Sequence, residues 1–310
     1  MDRASDDEPL FRLRLPDGRR VGGTTFGDPE GFPVLALHGT PGSRLMFRMA
    51  DEAARATGVR LYSLDRWGYG HSDAHPAPSL SAYADDARSI ADALGLDRMA
   101  LLGVSGGGPF AVAVAAGLGD RIAAVALVSP LGPVAAEPDL ALSRFQALAF
   151  GTLARRPWAV RLVFRGFRSV LERNGPLALR IASARAAAVD RRIACRPYER
   201  DSLIDAFRAG LAPGVEGPVI DMALFSQPWD VDPGCLTAPS RLWIGDADRH
   251  VPVSAARGLA RRIPSCDLVA IADAGHYWVM SHMPDVLGWI GTAARAGGAG
   301  SSGGGGPETT

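Results

Sequence analysis

The sequence contains no lysine, so arginine supplies all 33 of its basic residues in a chain of 310. A Walker A phosphate loop requires a lysine, and so does a pyridoxal Schiff base, so both kinds of site are excluded. Acidic residues also number 33, which leaves the chain without net charge. A balanced chain exerts no overall attraction on nucleic acid or on an anionic membrane, so neither is expected as a partner.

Cysteines and long apolar runs are also scarce. The three cysteines, Cys195, Cys235 and Cys266, lie far apart and lack the spacing of a metal site, which favours reduced thiols. No apolar stretch reaches the length of a membrane span, and the acidic start at residues 2–8 is unlike a secretory signal. We therefore expect a cytoplasmic monomer or homodimer that binds a small-molecule substrate without a cofactor or metal.

Short apolar runs alternate with helix-like runs in both the first and the last part of the chain. After a hairpin over 9–26, strands are predicted at 33–37, 59–64, 99–103, 122–128, 241–244 and 267–271. Helical spacing is found over 44–57, 79–94, 110–118 and 277–293. Apolar strands that alternate with helices predict an α/β fold whose mostly parallel sheet is covered by helices on both faces.

The alternation stops between residues 132 and 232. This stretch is rich in alanine, leucine and arginine, and its periodicity is helical. It predicts an all-helical cap inserted into an α/β core, whose two parts span 1–131 and 233–295. The tail over 296–310 is rich in glycine and serine and is expected to be disordered.

A serine lies at the junction between the predicted strand ending at Gly103 and the helix that follows. The run Gly103-Val104-Ser105-Gly106-Gly107 has the pattern of a sharp strand-to-helix turn that lifts a serine hydroxyl above a sheet. The alternative is that Ser105 only caps the next helix, since serine is a favoured N-cap residue. The pattern by itself leaves both interpretations open.

Acyl transfer also needs a base and an anion that orients the base, and two later segments offer them. Asp248 follows one predicted strand and His276 follows the next, so both lie where catalytic groups collect in parallel sheets. The chain order serine, aspartate, histidine is that of the α/β-hydrolase triad. We predict Ser105, Asp248 and His276 as catalytic residues, with Asp246 as the competing acid and His250 as the competing base.

The loop after the first parallel strand reads His-Gly-Thr-Pro-Gly over residues 38–42. Two backbone N–H groups are needed to bind the oxyanion, and one comes from the residue after the nucleophile, Gly106. Pro41 has no N–H, so Thr40 is predicted as the second donor.

Aromatic side chains are expected to line an apolar substrate pocket under the predicted cap. The residues predicted to bind substrate are Trp158, Phe164, Trp229 and Tyr277. They favour an ester or thioester of a small to medium apolar acid.

Taken in order, these motifs resemble those of the α/β-hydrolase superfamily over residues 9 to 293. The matching segments are His38–Gly42, Asp65–Ser72, Gly103–Gly107, Gly245–Pro252 and Gly275-His276 with its trailing His282-Met283-Pro284. The resemblance implies a helical lid after the sixth strand and places the family's acid on Asp248. It leaves three functions open: a serine hydrolase, a non-hydrolytic lyase or tailoring enzyme, and a ligand-binding receptor without turnover.

Overall fold

The computed structural model of the chain describes residues 10–136 and 142–299. Within them, eight strands form one sheet with the spatial order β1-β2-β4-β3-β5-β6-β7-β8. The strands are β1 (Leu10–Arg14), β2 (Arg20–Gly27), β3 (Phe32–Leu37), β4 (Val59–Leu64), β5 (Met99–Val104), β6 (Ile122–Val128), β7 (Ser240–Gly245) and β8 (Cys266–Ile271).

Strands β3 to β8 pair in parallel. The β1–β2 hairpin pairs with β4 in antiparallel register, so β1 is the outermost strand on that side of the sheet. Every residue of β5 and β6 is buried, as expected for central strands covered on both faces. The prediction of a mostly parallel α/β sheet is confirmed.

The described residues form eleven α-helices. They are α1 (Asp51–Ala56), α2 (Leu80–Ala93), α3 (Gly108–Leu118), α4 (Arg144–Gln146), α5 (Pro157–Arg173), α6 (Gly175–Ala182), α7 (Ala188–Ala194), α8 (Pro197–Leu211), α9 (Glu216–Phe225), α10 (Val253–Arg262) and α11 (Met283–Ala299). Apolar residues of α2, α3 and α10 fill one core cluster, and those of α1 and α11 fill a second. Among the described residues, no helix has both the length and the apolar character needed to cross a bilayer.

Helices α4 to α9 all lie between β6 and β7, and a π-helical turn, Ala147–Leu153, separates α4 from α5. We call residues 142–235 the helical segment. Pro157, Pro176 and Pro197 lie in the first turns of α5, α6 and α8, so these prolines mark where separate helices begin. Proline fits there because the first N–H groups of a helix have no partner within the helix.

The chain's last helix differs from its prediction at both ends. It was expected over 277–293, but a 3-10 turn occupies Trp278–Ser281 and α11 begins at Met283. A start at 277 would put Pro284 inside the helix, where it has no N–H to donate and its ring clashes with the preceding turn. The helix continues to Ala299, into the stretch predicted as a disordered tail; residues 300–310 of that tail, like residues 137–141 of the predicted cap, lie outside the described residues.

The carboxyl ends of β3, β5, β7 and β8 meet at one edge of the sheet because these strands run parallel. The loops that follow them begin at His38, Ser105, Asp246 and Ala272. Each of the predicted catalytic and oxyanion residues therefore lies on a loop at this edge.

Candidate active site

Ser105 is placed at a tight turn between β5 and α3. Its φ is +54°, a left-handed conformation that is unfavourable for a residue with a side chain. The turn leaves no room for a side chain at Gly107, where an added Cβ would lie 2.1 Å from the carbonyl oxygen of Leu37. The glycine two residues after Ser105 therefore allows the turn to pack against β3, and this packing holds Ser105 in its strained conformation.

The imidazole of His276 bridges the serine and an aspartate. Its Nε2 lies 3.0 Å from Oγ of Ser105, and its Nδ1 lies 2.7 Å from Oδ2 of Asp248. The other carboxylate oxygen of Asp248 accepts the backbone N–H groups of His250 and Val251, at 2.8 and 3.1 Å. Because a carboxylate only accepts, Nδ1 carries a proton and Nε2 is left to accept the serine hydroxyl.

The histidine and the aspartate shift each other's ionisation. Burial works to lower the pKa of His276, but the charge and hydrogen bond of Asp248, with a smaller contribution from Asp190, raise that pKa above its ordinary value. Burial works to raise the pKa of Asp248, and the charge and hydrogen bonds of His276 lower it overall. Asp248 is therefore an anion at neutral pH, positioned to stabilise a positive charge on the imidazole.

The two competing residues of this loop are placed differently. The side chain of Asp246 is exposed to solvent. The ring of His250 lies beside that of His276, with 4.9 Å between centroids, and burial and the charge of His276 lower the pKa of His250 to about 4. His250 is thus neutral at physiological pH, and its Nε2 is buried without a partner among the described residues.

Thr40 and Gly106 lie next to each other at the cavity that holds Ser105. A Cβ added to Gly106 would approach Oγ1 of Thr40 to 2.3 Å, so the backbone at Gly106 packs closely against the Thr40 side chain. The Thr40 hydroxyl donates to Oδ2 of Asp221 at 2.5 Å. The hydroxyl of Thr40 also accepts from Arg66 at 3.1 Å, so both of these contacts hold the side chain in place.

A buried ion pair fixes the Thr40 loop to the helical segment. Arg66 donates to both carboxylate oxygens of Asp221, at 2.5 and 2.8 Å, and each side chain is only 1% exposed. Arg66 also donates to the carbonyl of Gly39 at 3.2 Å, and the Tyr69 hydroxyl donates to Asp221 at 2.7 Å. Removing one partner of such a pair leaves an uncompensated buried charge, which costs about 3–5 kcal/mol.

A second carboxylate of the helical segment holds the backbone of the histidine loop. Asp190, on α7, is fully buried and accepts the backbone N–H groups of His276 at 2.9 Å and Tyr277 at 2.8 Å. Sequence reasoning missed Asp190 and Asp221. The signal for Asp221 is an acidic residue within a mostly apolar helical run, because a buried carboxylate requires a partner. Asp190 is followed by two arginines in α7, so its sequence context gives no such signal.

A cavity of about 330 Å³ opens in front of Ser105 and His276. Its apolar walls come from both the core and the helical segment and include Phe145, Phe150, Phe164, Phe207, Met222 and Phe225. No lysine, arginine, aspartate or glutamate is among the described residues that line it. The cavity therefore suits an uncharged, apolar group.

Two of the four residues predicted to bind substrate, Phe164 and Tyr277, line this cavity, and two do not. Trp158 lies on the first turn of α5 with 67% of its surface exposed, away from the face that carries Phe164. Trp229 follows α9 and packs, partly buried, against the core cluster beneath the sheet. The expectation that Trp158 and Trp229 bind substrate is therefore corrected, since neither lines the cavity. The composition of the segment indicated an apolar pocket but did not give the direction of each side chain.

The described part of the chain has no group of three or more histidine, cysteine, aspartate or glutamate side chains arranged to hold a metal ion. Cys195 and Cys235 are exposed, Cys266 is half-buried, and all three are free thiols.

The chain is similar in sequence and in fold to several known proteins. A protein from Nakamurella multipartita with the α/β-hydrolase fold superposes with a TM-score of 0.69 and 26% identity, covering 93% of this chain and 99% of that one. An esterase from Thermogutta terrifontis gives a TM-score of 0.67 and 25% identity, with the same coverage of each chain. A 2-hydroxymuconate semialdehyde hydrolase from Pseudomonas putida is 25% identical over 263 residues, or 82% of this chain and 83% of that protein.

The model of the α/β-hydrolase fold family matches residues 33–282. This interval begins in β3, before the Thr40 loop, and ends after His276, so it contains Ser105, Asp248, His276 and every described residue that lines the cavity except Met283. The protein belongs to the α/β-hydrolase fold family.

Proposed function

We propose that the protein is a serine hydrolase that cleaves an ester or thioester of a small to medium apolar acid. The observation that carries this proposal is the hydrogen-bonded chain from Asp248 through His276 to Ser105, with contacts of 2.7 and 3.0 Å. Nucleophile, base and orienting anion within such contact are the requirement for activating a serine hydroxyl.

In the proposed mechanism, Oγ of Ser105 attacks the substrate carbonyl while Nε2 of His276 takes the hydroxyl proton. Asp248 stabilises the resulting imidazolium, whose proton then goes to the leaving alcohol or thiol. Water attacks the acyl-enzyme by the same route, with His276 again accepting and returning a proton, and this step releases the acid. The N–H groups of Thr40 and Gly106 bind the oxyanion in both steps, each contributing about 2.7–4 kcal/mol on the scale known for such donors.

The helical segment serves as the cap in this account, and it also positions the reacting groups. Asp221 holds the side chain of Thr40, and Asp190 holds the backbone on which His276 lies. Catalysis depends on holding these groups within a fraction of an ångström, so both aspartates are positioning residues.

The substrate class follows from the walls of the cavity. An apolar cavity of about 330 Å³ accommodates an acyl chain of modest length. The name of the Pseudomonas putida relative indicates an anionic substrate for that protein. No arginine lines the described cavity here, so an uncharged ester is the better fit.

A panel of aryl esters of increasing acyl length tests this function. We expect kcat/KM to rise with chain length while methylenes fill the cavity and to fall once the chain exceeds it. Mass spectrometry should identify the free acid as the product. Ligand binding without any product would instead favour the receptor, and a product other than acid and alcohol would favour the tailoring enzyme.

The pH profile of kcat/KM reports the ionisation of His276, since only the neutral imidazole can accept the serine proton. Carboxylates favour the imidazolium, so the pKa is raised above its ordinary value of 6.5, and activity is lost as the pH falls through that raised pKa. In Asp190→Asn the nearby charge is removed but the side-chain shape is kept. The midpoint of the acidic limb should therefore move to lower pH.

The matched control is Asp201→Asn, which changes an exposed aspartate on α8 of the same helical segment. Its midpoint should equal that of the unsubstituted protein. If the Asp190 variant lost activity with an unmoved midpoint, Asp190 would be structural only and would not tune the base.

A further inference from the structure

One stretch of this chain is strongly basic, although the chain as a whole has no net charge. Residues 143–187 contain nine arginines and one glutamate, with no lysine and no aspartate, which gives this stretch a net charge of +8. The remainder of the chain carries the opposite excess. Such asymmetry is typical of proteins that bind an anionic surface.

The same stretch contains most of the large apolar side chains that face solvent. Six of the nine such side chains in the described residues belong to it, and five of them form what we call the entrance patch: Phe145, Leu148, Trp158, Leu162 and Val163, with exposed fractions of 46–67%. Trp158 and Leu162 lie four residues apart and so share one face of α5. Large apolar side chains that are exposed in numbers on one part of a protein mark a site of interaction.

The entrance patch is continuous with the catalytic cavity. Phe145 and Val163 belong both to the patch and to the lining of the cavity in front of Ser105. The guanidinium of Arg185 lies 4.6 Å from the ring centroid of Phe145, which places a cation at the rim of the patch. A partner that covers the patch therefore also covers two residues that line the cavity.

Most of the arginines of this stretch are available to an external partner. Among the described contacts, Arg161 pairs with Glu216 and Arg168 with Glu172. The remaining seven are exposed and make no direct ion pair within the described part of the chain, although the charge of Arg165 acts on Glu216. They are Arg144, Arg155, Arg156, Arg165, Arg173, Arg180 and Arg185.

We propose that this face docks on an anionic phospholipid bilayer, with the entrance patch in the headgroup region and the arginines on lipid phosphates. Aromatic and leucine side chains ringed by basic residues are the composition of segments that lie in a membrane interface without crossing it. A second copy of the chain is a poor occupant, because two faces of charge +8 repel each other. The expectation of no membrane partner was based on the net charge of the whole chain. That value is zero because the acidic excess elsewhere cancels the basic excess of residues 143–187.

One consequence rests on the proposed esterase function. With the entrance patch in the bilayer, an apolar ester passes from the lipid into the cavity without crossing water. The substrate class is then a membrane-partitioned ester. Docking itself does not depend on turnover and is measured separately from it.

Flotation with vesicles tests the docking, using the Ser105→Ala protein so that binding is measured without hydrolysis. Vesicles of phosphatidylcholine alone are compared with vesicles that also contain phosphatidylglycerol. We expect binding about tenfold or more stronger with the anionic lipid, and weakened by added salt, because several arginines contribute at once. Equal binding to both vesicles, or no binding to either, would overturn the proposal.

Paired variants identify the face. Leu148→Ser/Leu162→Ser and, separately, Arg156→Gln/Arg165→Gln should each reduce vesicle binding about tenfold. The controls are Leu268→Ser on the edge strand β8 and Arg261→Gln/Arg262→Gln on α10, which change residues exposed elsewhere and should leave binding unchanged.

Thermal unfolding confirms that each variant is folded before its binding is compared. If control and patch variants lost binding equally, the surface would be nonspecific and the proposal would fail. A concentration-dependent dimer in sedimentation, dissociated by the leucine variant, would assign the patch to a second copy and also overturn it.

Discussion

Replacing Ser105 with alanine is expected to lower kcat for ester hydrolysis about 10⁶-fold, the scale of nucleophile loss in serine hydrolases. The variant has no oxygen to attack the carbonyl, while the cavity and the oxyanion donors stay in place. Steady-state hydrolysis of the best ester of the chain-length panel measures the effect.

Ser202→Ala is the matched control, because Ser202 lines the same cavity but belongs to helix α8. Its kcat should stay within about tenfold of the unsubstituted protein, since it removes at most one hydrogen bond to substrate. An undiminished rate in Ser105→Ala would show that another group performs the attack.

Replacing Asp248 with asparagine is expected to lower kcat about 10⁴-fold. The amide has nearly the shape of the carboxylate but can donate to Nδ1 of His276, which favours the tautomer whose Nε2 carries the proton. That tautomer cannot accept the proton of Ser105. The loss of the negative charge also removes the stabilisation of the imidazolium.

Asp246→Asn changes the other aspartate of the same loop, whose side chain is exposed. It should alter kcat only slightly, because a surface substitution of this kind seldom has a large effect. Comparable losses in the two variants would mean that the loop as a whole, rather than one carboxylate, supports the histidine.

The sheet and the residues proposed as catalytic were predictable from the sequence because both leave local patterns. Strands β5 and β6 are continuous apolar runs, and Ser105 lies among glycines where a strand meets a helix. Asp248 and His276 each follow a strand, and parallel strands bring their carboxyl ends to one edge. The order of the strands in the sequence therefore predicts which loops meet.

The contacts made by the helical segment were not predictable in the same way. Asp190 and Asp221 act on loops that are 86 and 181 residues away, and no periodicity links those positions. Trp158 and Trp229 have the composition of pocket residues, but the rotation of α5 and the path after α9 turn them elsewhere. Helix packing decides which face of each helix meets the cavity, and sequence patterns specify it only weakly.

The proposed function depends most directly on Ser105 being a nucleophile activated by His276. Intact-protein mass spectrometry after treatment with a fluorophosphonate probe tests this in one measurement, with peptide mapping to locate the label. We predict one adduct, on Ser105, that is absent in Ser105→Ala and strongly slowed in His276→Ala. An unlabelled protein, or a label on a different residue that persists in Ser105→Ala, would contradict the proposed mechanism.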